Sequence, residues 1–180
     1  KRAWTGWHTD ITAAINPPAA SILRSVVLPP YGGDTQWLNM AKAFEALSPP
    51  MQAFLSSLRA IHQYRRAADS KDKSGYNKLI EEHTMVSEHP LVAVHPETGE
   101  KILFTNAAYV DHIVGLTPRE SQCLLEYLWE HCLQPEFTIR FRWSAGSIAF
   151  WDNRATQHQA IGDIFDTDFD RELYRVTLNG

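Results

Sequence analysis

Phe150-Trp151-Asp152-Asn153-Arg154-Ala155-Thr156-Gln157-His158 is the stretch around which this 180-residue chain is organised. The run Ser147 to Trp151 enters it as a strand, and Gln157 to Ile161 leaves it as another. Just upstream, Phe137, Ile139, Phe141 and Trp143 alternate with Thr138, Arg140 and Arg142. That period of two predicts a half-buried strand with the aromatic side inward. Ala145-Gly146 turns the chain between the two strands. Downstream, an acidic loop from Asp163 to Asp170 precedes a last strand, Leu173 to Leu178.

Further out, the pattern mixes strands and helices. Ala20 to Leu28 reads as a buried strand, and Pro29 to Thr35 is a loop rich in breakers. Met40, Ala43, Phe44 and Leu47 have helical spacing. Ser48-Pro49 opens a second helix as cap and first-turn proline, and Leu58 to Tyr64 follows as a strand. Arg65 to Glu88 is polar and aperiodic, either a solvated connection or a lid over a site. Leu91 to His95 and Lys101 to Phe104 form a hairpin. Asn106 to Val114 is expected to be a short helix ended by Gly115. Thr117-Pro118-Arg119-Glu120 is a capping box, and the helix behind it carries Leu124, Tyr127, Leu128 and His131 at helical spacing. Many short strands with a few helices between them predict a mainly β fold with a helical insert, a jelly roll or double-stranded β-helix. We expect one domain over residues 1–180. The chain begins at Lys1 and its first motif arrives by residue 8, so an N-terminal portion is expected to be missing.

Composition excludes several classes. A formal charge of −4 leaves no electrostatic footprint for nucleic acid. No apolar run is long enough to span a membrane. Cys123 and Cys132 make no disulfide framework, and a cytoplasmic setting is expected. Both cysteines lie in the helical pattern and read as packing residues.

The chemistry concentrates at the two ends. His8 and Asp10, two residues apart, would share one face of a strand. With a third ligand from elsewhere, His158 being the candidate, they would form a facial two-histidine, one-carboxylate set. That set suits Fe(II) because it leaves coordination positions open for a chelating co-substrate and dioxygen. The plainer alternative is that these are hydrogen-bonded structural residues. On the last strand, Arg171, Leu173, Arg175 and Thr177 fall on one face. Two arginines there call for anions, since a guanidinium grips a carboxylate, sulfonate or sulfate through paired hydrogen bonds. The alternative is pairing with Asp163, Asp166, Asp168 or Asp170 at the surface. Trp151 and Asn153 could support the His158 strand, and Tyr109 is a candidate for facing the pocket.

Trp7-His8-Thr9-Asp10, Gly32-Gly33-Asp34-Thr35, His89-Pro90-Leu91-Val92, His95-Pro96-Glu97-Thr98-Gly99, the block from Phe150 to His158, and Arg171 to Leu178 occur in this order. Together they resemble the TauD/TfdA family of Fe(II)- and 2-oxoglutarate-dependent dioxygenases, especially its taurine dioxygenase and alkylsulfatase branch. The resemblance implies a jelly roll, with His8, Asp10 and His158 as iron ligands. It implies that Thr35 and Arg171 bind a 2-oxoglutarate carboxylate, that Arg175 meets a sulfonate or sulfate group, and that Ile11 lines the substrate pocket. It also implies a homo-oligomer, a dimer or tetramer, acting on a small anionic organic substrate with Fe(II), 2-oxoglutarate and O2. The expected reaction hydroxylates that substrate and releases sulfite or sulfate. A phenoxyalkanoate or amino-acid-type substrate is the alternative within the family. Outside it stand a zinc hydrolase built on the same ligands and a non-catalytic jelly-roll binding module.

Overall fold

The structure is a computed structural model and describes residues 6–64 and 85–180. Eleven strands are described: β1 (Ala20–Val27), β2 (Thr35–Asn39), β3 (Arg59–Gln63), β4 (Val86–Pro90), β5 (Val92–Val94), β6 (Lys101–Leu103), β7 (Val110–Ile113), β8 (Thr138–Phe141), β9 (Ile148–Asp152), β10 (Thr156–Ala160) and β11 (Glu172–Leu178). The described α-helices are α1 (Met40–Glu45), α2 (Pro49–Ser56) and α3 (Pro118–Cys132), and a short 3-10 helix spans Pro135–Phe137.

Two three-stranded antiparallel sheets, ordered β11-β1-β9 and β10-β2-β8, make the jelly roll. Trp37 of β2, Trp151 of β9 and Trp143 are buried together between them. Leu23, Phe141, Ala149 and Leu173 pack around this cluster. The Trp37 and Trp151 rings lie 5.4 Å apart, centroid to centroid. Three aromatics of this size bury enough apolar surface to hold the sheets face to face. A third sheet, β4-β3-β7, and the hairpin β5-β6 lie against the helices. Leu38, Met40, Phe44, Leu55, Leu91, Ile102, Leu103, Leu125 and Leu128 fill that second core.

Helix starts follow the sequence signals with one exception. Asn39 Oδ1 accepts the Ala41 and Lys42 N–H groups at 3.1 and 2.9 Å. Thr117 and Glu120 complete the capping box. Ser48 holds the cap position of α2 without a side-chain hydrogen bond, and Pro49 alone sets the entry.

Four expectations change. Val110–Ile113 is a strand, not helix: Asn106 Oδ1 accepts the Ala108 and Tyr109 N–H groups in an Asx-type turn, and Val110 to Ile113 then pair with β3. The buried stripe of α3 is Ser121, Leu125, Leu128, Trp129 and Cys132, while Tyr127 is exposed. Ile139 is 65% exposed although it alternates with inward residues, because β8 is an edge strand with β2 on one side only. Val86 to Glu88 belong to β4. The rest of the polar connection, and with it the choice between tether and lid, lies outside the described residues. Among those described, no helix is long and apolar enough to cross a membrane.

Candidate metal centre

The two ends of the chain meet through one antiparallel bridge. His8 N–H donates to His158 O at 3.1 Å, and His158 N–H donates to His8 O at 2.8 Å. The segment around His8 is therefore a single bridge followed by a turn, rather than the strand expected from its spacing. The bridge does what a strand would have done. Directly opposed residues in an antiparallel pair project to the same side, and the two imidazoles lie 4.3 Å apart, centroid to centroid. Asp10 comes in from the turn. Its Oδ1 lies 3.8 Å from His8 Nε2 and 3.8 Å from His158 Nε2. These three side chains could hold a metal ion between them, and they form the one such cluster among the described residues.

The donor set fits a divalent cation. Gly6 O lies 2.9 Å from His8 Nδ1, an acceptor that fixes the proton there and leaves the Nε2 lone pair facing Asp10. Burial, with His8 close by, lowers the pKa of His158 to about 3, even though Asp10 pulls it upward. His158 is therefore a neutral ligand throughout the physiological range, which metal binding requires. Its Nδ1 is buried with no hydrogen-bond partner among the described residues.

Asp10 is oriented by a relay that its spacing to His8 does not announce. Ser21 Oγ donates to Asp10 Oδ2 at 3.0 Å, Asn153 Nδ2 donates to Ser21 Oγ at 3.0 Å, and Trp151 Nε1 donates to Asn153 Oδ1 at 2.8 Å. Every member is buried. The relay holds one carboxylate oxygen and leaves the other turned toward the histidines. Asn153 thus acts on the Asp10 carboxylate, while Trp151 serves both sides: its N–H feeds the relay, and its ring packs 5.0 Å from the His158 ring, as expected of a support for that strand. The signal available in sequence was the pairing of two strand ends, β1 and β9, which is invisible before the register is known.

The two arginines expected to meet anions lie near the triad, Arg175 in contact with Asp10. Arg171 Nε donates to Gly33 O at 2.7 Å, and its Nη2 donates to Thr35 Oγ1 at 3.3 Å. Burial lowers the pKa of Arg171, while Asp34 and Asp163 raise it. Trp143 Nε1 also donates to Thr35 Oγ1, at 3.0 Å, a contact not anticipated from sequence. Gly33 has φ +69°, and a Cβ there would meet Arg171 Cδ at 3.0 Å, so glycine alone lets the guanidinium stem approach. Arg175 Nη1 lies 3.3 Å from Asp10 Oδ1, and its Nε donates to Thr177 Oγ1 at 3.2 Å.

The neighbouring aspartates take a different arginine. Asp34 and Asp163 bind Arg140, at 2.7 and 3.5 Å, and Asp163 Oδ1 accepts the Gly33 N–H. Tyr109 reaches back to Ile11. Burial raises the Tyr109 pKa, and a hydrogen bond from the Ile11 backbone lowers it, with Asp10 and Arg175 close enough to contribute.

The model of the taurine catabolism dioxygenase TauD, TfdA family matches residues 1–177. The chain belongs to the TauD/TfdA family. It is 41% identical over 181 residues to an alpha-ketoglutarate-dependent sulfate ester dioxygenase of Pseudomonas putida, covering 97% of this chain and 59% of that protein. An alkylsulfatase of Acinetobacter baylyi is 36% identical over 181 residues, with 97% of this chain and 56% of that protein covered. The crystal structure of a taurine dioxygenase from Burkholderia xenovorans superposes with a TM-score of 0.89 at 58% identity, covering all of this chain and 59% of that one. The chain thus spans somewhat more than half the length of these TauD/TfdA relatives. Its jelly roll is theirs.

His95, Asp152 and Arg154 form a structural knot. His95 Nδ1 accepts the Glu97 and Thr98 N–H groups, so its proton sits on Nε2, which donates to Asp152 at 2.9 Å. Partial burial pushes the Asp152 carboxyl up, but hydrogen bonds from Arg154 and His95 more than offset it and hold the carboxyl below its usual range. This knot stiffens the turn between β9 and β10. Burial pushes the Cys132 thiol up to about 12, which leaves it inert, while Cys123 is exposed.

Proposed function

We propose that the protein is an Fe(II)- and 2-oxoglutarate-dependent dioxygenase that hydroxylates a small organic sulfate ester or sulfonate and releases sulfate or sulfite. The observation that carries this reading is the convergence of His8, Asp10 and His158 beside Arg171, Thr35 and Arg175. His8 and His158 would bind Fe(II) through Nε2, and Asp10 through Oδ1. Bound iron with 2-oxoglutarate and dioxygen supplies the oxidising power, 2-oxoglutarate leaving as succinate and carbon dioxide as the substrate gains a hydroxyl.

The protein's own residues orient and bind. Ser21 keeps one oxygen of Asp10 engaged, so the other is available to the metal. Arg171 and Thr35 hold the far carboxylate of 2-oxoglutarate, and the Arg171 stem is already fixed by Gly33 O. Arg175 would receive the anionic head of the substrate. Ile11 and Tyr109, linked by a hydrogen bond from the Ile11 backbone, would line the substrate's side of the site. The resemblance to the sulfate ester dioxygenase and the alkylsulfatase supports the substrate class.

The test is substrate-dependent succinate release, measured over alkyl sulfates, taurine, other sulfonates and phenoxy acids. An alkyl sulfate or sulfonate should drive succinate formation that needs Fe(II), 2-oxoglutarate and oxygen together. Sulfate release without oxygen would instead mark a hydrolase. Succinate release with phenoxy acids alone would overturn the assigned substrate class.

A further inference from the structure

Ile11 has φ +47°, and it is the one non-glycine residue with a left-handed backbone among those described. A β-branched residue is a steric outlier there. Strain of this kind persists only where the surroundings over-determine it. Ile11 sits directly between Asp10 and Thr12.

The surroundings come from a sheet that supplies no metal ligand. Thr12 is fully buried. Its Oγ1 lies 2.9 Å from His62 Nδ1 on β3, and it accepts from Asn106 Nδ2 at 3.2 Å. Asn106 cannot swing away, because its Oδ1 accepts the Ala108 and Tyr109 N–H groups. His62 is likewise held, stacked on Phe104 at 5.3 Å and edge-on to His89 at 5.1 Å. From β4, Ser87 Oγ donates to Thr12 O at 3.3 Å, and His89 Nε2 lies 3.0 Å from Ala14 O. The turn closes on itself through Ala14 N–H to Ile11 O at 3.0 Å.

We propose that Thr12, His62 and Asn106 form a positioning clamp that holds Ile11 in its left-handed conformation and so aims the Asp10 carboxylate at the metal. The clamp rests on the metal reading given above. Ser21 fixes the Asp10 side chain from one side, and the clamp fixes its backbone from the other. A merely space-filling cluster would be indifferent to the backbone angle of Ile11. A clamp is not: its removal should matter most when residue 11 is strained and least when it is glycine, which adopts that conformation freely.

Anaerobic Co(II) titration of the protein tests this, read by affinity and by the ligand-field spectrum, which reports the geometry around the ion. Thr12→Val should weaken Co(II) binding about 10-fold, in the range seen when groups behind a ligand are removed, and should alter the spectrum. Thr12→Ser should keep both close to wild type. In an Ile11→Gly background the same Thr12→Val change should cost no more than about threefold, since glycine needs no clamp. Asn106→Asp removes the donor to Thr12 at constant size and gives the same test if Thr12→Val does not fold. Thr12→Val with wild-type affinity and spectrum would overturn the clamp. Equal weakening by Thr12→Val in the wild-type and Ile11→Gly backgrounds would overturn it too. Wild-type protein that binds no Co(II), with the same result for Asp10→Ala, would overturn the metal reading itself and the clamp with it.

Discussion

Arg171 and Arg175 stand four residues apart, just before β11 and within it, yet their surroundings differ. Arg171 is anchored before any ligand arrives: Gly33 O and Thr35 Oγ1 fix the guanidinium, and Trp143 in turn fixes Thr35. Arg175 has a side chain 41% exposed and partners at 3.2 and 3.3 Å. The difference is one of preorganisation. A group that must receive the same co-substrate in every turnover gains from being fixed in advance. A group that meets the variable substrate can be looser. The first arginine should therefore be costly to lose and intolerant of replacement, and the second less so.

The largest effect should come from Arg171→Ala. It deletes the charge-assisted contact proposed for the co-substrate and leaves Thr35 with one donor. Hydrogen bonds to charged groups contribute about 1.5–3 kcal/mol, so the KM for 2-oxoglutarate should rise about 100-fold, with substrate KM changing far less. Arg171→Lys should recover little, because a point charge cannot span Gly33 O, Thr35 and a carboxylate together. An unchanged 2-oxoglutarate KM would break the comparison at its stronger end.

Arg175→Ala should act in the opposite sense. Substrate KM should rise about 10-fold, a smaller loss because solvent screens a partly exposed charge, while 2-oxoglutarate KM stays within about twofold. Arg175→Lys should keep part of the substrate affinity. The comparison is sharpened if the two alanine variants split cleanly between the two KM values. It fails if each raises both equally.

Much of this was legible in sequence, and the reasons for the exceptions are physical. His8, Asp10, His158, Arg171 and Arg175 could be named because metal and anion chemistry demands those residue types, and because the period of two puts the arginines on one face. The strand leading into Trp143 is legible as half-buried for the same reason, whereas β2, which carries Trp37, is not read as a strand from sequence. What could not be read was anything decided by register. Asn153 meets Ser21, and through it Asp10, only because β1 lies against β9, with Ser21 opposite Trp151. Trp143 meets Thr35 only because β2 lies against β8, with Thr35 opposite Phe141, two residues before Trp143. The helix expected over Asn106 to Val114 failed because the side chain of Asn106 offers its own backbone a competing turn. The left-handed Ile11 carries no sequence sign at all, since isoleucine is among the last residues expected to adopt that conformation.

Trp143→Phe isolates the preorganisation of Arg171 from its charge. The change keeps an aromatic ring in the cluster with Trp37 and Trp151 but removes the N–H that meets Thr35 Oγ1. A neutral hydrogen bond contributes about 1 kcal/mol, so 2-oxoglutarate KM should rise about fivefold. Substrate KM should not move, because the lost hydrogen bond serves Thr35 and, through it, Arg171. A loss as large as that of Arg171→Ala would mean that the ring, rather than the hydrogen bond, holds the pocket.

Ionic strength gives the smallest and least invasive contrast. At 0.5 M salt the Debye length falls to about 4 Å, so an anion approaching the exposed side chain of Arg175 feels an attenuated charge. Arg171 is partly buried, and its hydrogen bonds to Gly33 O and Thr35 need no solvent path. Raising salt from about 0.05 to about 0.5 M should therefore raise substrate KM about threefold and 2-oxoglutarate KM less than half as much. Chloride competing at both sites would raise both together, so sodium chloride and sodium bromide, neither of them a carboxylate or sulfonate, should be run side by side. If the two KM values climb in step in either salt, exposure is not what separates the arginines. The contrast between them would then have to lie in hydrogen-bond geometry alone.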